Sequence, residues 1–160
     1  VKDLAMPADE NIVYNFHCYE PLIFTHQGAG WIDTMPSDYR ISFNHDMSVF
    51  RDRTKEYLPN NMIMLEPAKD IHHALDSEFF EKLFAEAVSV AEERNVPLYC
   101  GEYGVINLAS PEDTLKWYQS IHAVFEKYGI GRAAWSYKEM DFGLFDGHMD
   151  PVRKEVIREL

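Results

Sequence analysis

Cysteine is scarce in this 160-residue sequence: Cys18 and Cys100 are the only two, and they form no CxxC motif. Two isolated thiols make neither a disulfide framework nor a thiolate metal motif. Both fall in apolar runs that read as strands. If His17 and Glu102 point to one side of a sheet, alternation sends Cys18 to the other side and Cys100 to the same side, so two buried free thiols are expected. No run of eighteen apolar residues occurs, which excludes a membrane-spanning helix. The opening VKDLAMPADEN lacks the charged-then-apolar layout of a signal peptide. Basic residues are few, 15 against 27 acidic, for a net charge of −12. A surface of that sign repels phosphate backbones, so no nucleic-acid partner is expected. The seven histidines include no HExxH, no His-x-His on a strand and no close carboxylate cluster. No catalytic metal and no other cofactor are expected.

What is present is a globular composition, 46% apolar and 14% aromatic, in a chain long enough for one domain with a real core. Three segments read as strands: NIVYNFHCY (11–19), PLYCGEYGV (97–105) and GRAAWSY (131–137). Helical patterns separate and follow them. Residues 77–95 carry Phe80, Leu83, Phe84, Ala87, Val88 and Ala91 at spacings of three and four, with Ser77 as the expected N-cap. Residues 110–129 open on Ser110-Pro111, place Asp113 in the first turn and end at Gly129. Residues 150–160 read as a last helix. This alternation predicts an α/β fold with a parallel sheet, one domain over 1–160. The connection 20–76 is far longer than a compact domain needs, and such loops are usually functional. Its middle is expected to hold a short strand.

Polar and aromatic residues gather just past the C-terminal ends of all three strands, the side on which parallel α/β sheets bind ligands. Asn15, His17 and Tyr19 share a face, as do Leu98, Cys100 and Glu102, and Ala133, Trp135 and Tyr137. With those faces turned inward, His17, Tyr19, Glu102 and Trp135 converge at one mouth. Indole and phenol rings offer apolar faces to the C–H surface of a pyranose, and a phenol or imidazole can bond sugar hydroxyls or orient a carboxylate. A neutral glycan is the ligand this set fits. Taken singly, Glu102 could be a strand-end carboxylate bonded to Arg132, His17 a core histidine and Trp135 packing. His26 and Trp31 in THQGAGW either line the cleft or pin the long loop.

HCYEPLIFTHQGAGW, PLYCGEYGV and WSYKEMDFGLFD, in that order and separated by helices, resemble the sixth, seventh and eighth strand motifs of glycoside hydrolase family 5, the cellulase-type retaining β-glycanases built as (β/α)₈ TIM barrels. The resemblance implies that His17 and Tyr19 flank the site, that Glu102 is the nucleophile, and that Trp135 is a platform under the sugar, with Trp31, His26 and Lys138 as further substrate contacts. It implies a secreted or cell-surface location. A full barrel takes about 250 residues, so the fold expected is a partial barrel, strands six to eight with helices outside. The family's acid/base Glu stands in an Asn-Glu-Pro motif near strand four, and no such motif precedes His17 here. LEP at 65–67 comes after the His-x-Tyr motif, and Glu66 follows Leu rather than Asn. A retaining mechanism needs two carboxyl groups about 5–5.5 Å apart. The expectation is therefore half of a β-1,4-glucanase-like active site, inactive alone or limited to binding glycan. Its exposed sheet edges would be covered by a missing N-terminal half or by a second copy in a homodimer.

Overall fold

A computed structural model describes residues 2–160. Three parallel strands form one sheet in the order β1-β2-β3. They are β1 (Tyr14–Cys18), β2 (Leu98–Tyr103) and β3 (Gly131–Arg132). The third is shorter than the seven residues expected. The chain nevertheless continues beside β2, because Ala133 N–H donates to Cys100 O and Trp135 N–H to Tyr103 O, both at 2.9 Å.

One face of the sheet is covered by two long helices, α3 (Ser77–Arg94) and α4 (Pro111–Tyr128). Their apolar stripes meet each other and the sheet. Phe84 stacks on Phe125 at 5.8 Å and tilts against Phe16 of β1, while Trp117 and Phe125 pack on Tyr103 of β2. The expected cap at Ser77 falls one residue earlier: Asp76 is the N-cap and accepts from Glu78 N–H, and Asn95 closes the helix in a left-handed conformation. Ser110 caps α4 as expected, accepting from Asp113 N–H, with Pro111 in the first turn and left-handed Gly129 at the end. The last helix, α5 (Arg153–Glu159), follows a 3-10 segment at Gly147–Val152.

The opposite face is open. Along β1, Tyr14 and Cys18 are buried on the helix side, and Asn15 and His17 are exposed. Tyr99 of β2 joins them, 37% exposed.

The long connection holds helices where a short strand was expected. These are α1 (Leu22–Thr25), α2 (Met47–Tyr57) and a 3-10 segment at Pro59–Ala68. An isolated antiparallel bridge, Asp46 to Ala74, is the extended pairing found in it. Met47, Phe50 and Thr54 recur at three and four residues and form the buried stripe of α2, a helical period that a strand would not satisfy.

Candidate active site

Gly101 decides where Glu102 points. The register between β1 and β2 runs Phe16 to Cys100 and then His17 to Glu102, so β2 carries one extra residue at this step. The same surplus shows on the other side, where Ala133 and Trp135 bond Cys100 and Tyr103. This is a β-bulge, and it reverses the side-chain alternation of β2. Cys100 and Tyr103 are buried on the helix side, at 0% and 1% exposure, and Glu102 turns to the open face. The expectation that Cys100 shares a face with Glu102 is therefore wrong. Cys100 lies beside Cys18 instead, and both remain free thiols. Burial pushes the Cys100 thiol up to about 12.

Glu102 and His17, paired across the register, lie with Oε2 and Nδ1 3.4 Å apart, and their side chains are 36% and 47% exposed. Tyr19, one residue past β1, donates its hydroxyl to the same Oε2 at 3.1 Å. Burial and then the Glu102 charge push the Tyr19 phenol above its ordinary range, so it stays a donor. Among the described residues Glu102 Oε1 accepts no side-chain hydrogen bond. Arg132 does not reach Glu102; it pairs with Glu126 at 2.7 Å.

Trp135 sits half-buried at the end of the third strand, in a small apolar cluster with Ala29, Ile106, Phe142, Tyr19 and Ile32. Gly104 is the reason it comes so close to β2: a Cβ on Gly104 would lie 2.2 Å from Trp135 O. His26 packs edge-on against Tyr19 at 5.3 Å, and Trp31, 54% exposed, stands edge-on to His26 at 6.2 Å. Burial lowers His26 to about 4, so its ring is neutral at ordinary pH, with Nδ1 3.0 Å from Thr25 Oγ1. Trp31, His26, Tyr19, Glu102 and His17 thus form one continuous row.

Lys138 stands apart from that row. It is exposed, its ammonium is 5.8 Å from the Tyr137 ring centre, and no hydrogen bond or ion pair joins it to Glu102, Tyr19 or Trp135 among the described residues. Glu66 is exposed on the 3-10 segment, 4.0 Å from Lys69 Nζ. Among the described residues no group of three His, Cys, Asp or Glu side chains is placed to hold a metal ion.

Phe142 is the residue that pattern reading did not single out. It is 6% exposed and packs against both Tyr19 (5.6 Å) and His26 (5.2 Å). Its loop is built around three consecutive left-handed residues, Glu139, Met140 and Asp141. None is glycine, and that conformation costs roughly 1–2 kcal/mol per residue. Asp146 holds it by accepting from Glu139 N–H at 2.9 Å, and Asn107 N–H donates to Asp141 O at 2.7 Å. No periodicity marks such a loop; the bulge, by contrast, was signalled by a glycine inside an apolar strand pattern.

Residues 1–141 match the family model for cellulase, glycosyl hydrolase family 5. The chain is 41% identical over 132 residues to cellodextrinase A of Ruminococcus flavefaciens, covering 82% of this chain and 31% of that protein. It is 35% identical over 167 aligned positions to endoglucanase C of Acetivibrio thermocellus, covering all of this chain and 46% of that one. Its fold is similar to that of Thermotoga maritima Cel5A solved with a mannotriose substrate, with a TM-score of 0.65 and 22% identity over 100% of this chain and 43% of that one. The chain thus spans less than half the length of these relatives. With a family match over residues 1–141, the chain belongs to the cellulase family, glycosyl hydrolase family 5.

Proposed function

We propose that these 160 residues are the C-terminal βα units, strands six to eight, of a retaining β-glycanase acting on β-1,4-linked glucan or a related polysaccharide. Glu102 is the nucleophile that attacks the anomeric carbon through its free oxygen. Tyr19 and His17 hold the other oxygen, and Trp135 carries the sugar ring. Trp31 and His26 continue the sugar path, and Lys138 on the exposed loop meets the substrate at its rim. The observation that carries this reading is the pairing of Glu102 with His17 and Tyr19 at the C-terminal rim of a parallel sheet. The names of relatives support the substrate class: one is a cellodextrinase, one an endoglucanase, and one was solved with mannotriose.

A nucleophile alone lacks the acid that protonates an alkyl leaving group, a loss typically of about 10²–10⁴-fold. In this reading the proton donor comes from outside the 160 residues, supplied by an upstream half that completes the barrel or by a second copy. The open sheet face, with Asn15, His17 and Tyr99 exposed, favours such a completion.

The second reading is that the chain binds glycan through Trp135, Tyr19 and Trp31 without turnover; the exposure of Trp31 favours it. Assay of the purified chain on soluble β-glucan separates the two. Turnover lost in Glu102→Gln supports the enzyme and implies an acid within the assembly. Oligosaccharide binding without turnover supports the binding module. Neither turnover nor binding contradicts the binding module and a site completed by a second copy.

A further inference from the structure

Glu20 follows Tyr19 directly and is 8% exposed, yet it forms no ion pair with any Lys, Arg or His among the described residues. Its carboxyl is spent on the chain that follows it. Oε2 accepts from Leu22 N–H at 3.0 Å, the first N–H of α1, and Oε1 lies 3.5 Å from the amide nitrogen of Asn61 in the 3-10 segment. Its backbone carbonyl accepts from the indole of Trp117 in α4 at 3.0 Å. These bonds engage both carboxyl oxygens with α1 and the 3-10 segment.

The α1 turn closes back on Tyr19. The Thr25 hydroxyl, in that turn, donates to Tyr19 O, and His26, which ends the turn, packs its ring edge-on against the Tyr19 ring. Tyr19 through α1 to His26 is therefore a closed loop. Glu20 fixes one end of it, and the Tyr19 phenol on Glu102 is what the loop aims.

We propose that Glu20 is a positioning residue for the site: it aims Tyr19 at Glu102 and fastens the long 20–76 connection to the end of β1. The inference rests on the proposed role of the Glu102 site in glycan binding only where ligand affinity is used as a readout. Burial pushes the Glu20 carboxyl up to about 7, the bond from Leu22 N–H opposing part of that shift. The neutral form is thus the one that fits the loop at acidic pH. The titratable groups facing this loop are Cys18 beside Glu20 and, around Tyr19, His26, Glu102, His17, Cys100 of β2 and Tyr118 of α4. Ionisation of Glu20, with no cation to meet it, loosens the loop and with it the Tyr19 hydrogen bond.

The test is carbon-13 NMR of the chain labelled at glutamate carboxyls and tyrosine rings, from pH 5 to 9, in the native sequence and in Glu20→Gln. The expected result is that Tyr19 ring signals move with the midpoint of the Glu20 carboxyl. In Glu20→Gln that movement is expected to be lost. Tyr19 signals that ignore the Glu20 titration, or that move equally in Glu20→Gln, overturn the proposal. The native-sequence titration alone decides the matter if the variant does not fold. In parallel, cellotetraose affinity is expected to weaken about tenfold from pH 6 to pH 8 in the native sequence, the net worth of one hydrogen bond. In Glu20→Gln it is expected to stay level. Tyr19 signals that track Glu20 without any cellotetraose binding refute the glycan reading alone; pH-independent binding with fixed Tyr19 signals refutes the positioning role alone.

Discussion

At the scale of residues, three small choices put Glu102 where it stands. Gly101 supplies the bulge that turns the carboxylate to the open face. Gly104 lets the Trp135 backbone approach. Tyr19 occupies one oxygen and leaves the other free. A hydrogen bond to a carboxylate is worth about 1.5–3 kcal/mol, so Tyr19→Phe is expected to slow reaction at Glu102 by roughly 10- to 100-fold, read as the rate of labelling by an activated fluoro-sugar. Gly104→Ala forces a Cβ into Trp135 O, a backbone atom that cannot swing aside. It is expected to cost about 1–3 kcal/mol in urea unfolding, with Trp135 fluorescence altered in the folded state. A Cβ on Gly101 would meet the Asn15 side chain at 2.5 Å, so Gly101→Ala should cost less when Asn15 is also shortened to Ala. Much of this was legible: GEYG showed a charge between glycines at a strand end. Gly101 inside the apolar run signalled a bulge, but the reversal of alternation that follows from it has no period of its own to read, and so the two cysteines came to share a side against expectation. Phe142 was hidden for a related reason: its position depends on left-handed residues that no side-chain pattern announces.

Helices were easier to read than strands. The stripes of α3 and α4 repeat over five turns; the caps of α4 stand at Ser110 and Gly129 as expected, while that of α3 falls on Asp76 rather than Ser77. The third strand shrank to two residues because only part of the segment keeps regular pairing with β2 past the bulge. The long connection misled because its helical stripe is short, three residues in α2. Ser110→Ala is expected to remove about 1 kcal/mol by uncapping α4, measurable by urea unfolding. Two buried groups set opposite pH slopes on stability. His122, on α4, bonds Tyr103 at 2.8 Å and is lowered to about 4 from 6.5, chiefly by burial. The unfolded chain takes up that proton first, so stability falls as pH drops from 6.5 toward 4, by up to about 3 kcal/mol. Glu20 is raised to about 7 from 4.5, so the unfolded chain ionises first and stability falls as pH rises from 4.5 to 7. Glu20→Gln is therefore expected to gain up to about 3 kcal/mol at pH 8 relative to the native sequence and nothing at pH 4, read by urea unfolding at both values.

The whole molecule is a sheet with helices on one face and exposed polar and aromatic residues on the other. In a closed barrel the second face would be interior. Here β1 and the third strand are both edges, and edges present unpaired N–H and C=O groups. Association that covers them is expected, either with a copy or with an upstream half, and light scattering that shows a monomer across micromolar concentrations would contradict it. The α/β class, the parallel order and the family were readable from three motifs spaced by helices.

The central claim, that Glu102 is the nucleophile of a retaining glycosidase site, is tested most directly by trapping. The chain, alone and mixed with any upstream half, is treated with a fluorinated cellobioside that carries a dinitrophenolate leaving group, which departs without an acid. Peptide mapping is expected to find the sugar on Glu102, with no label in Glu102→Gln. A label on any other carboxylate would contradict the account.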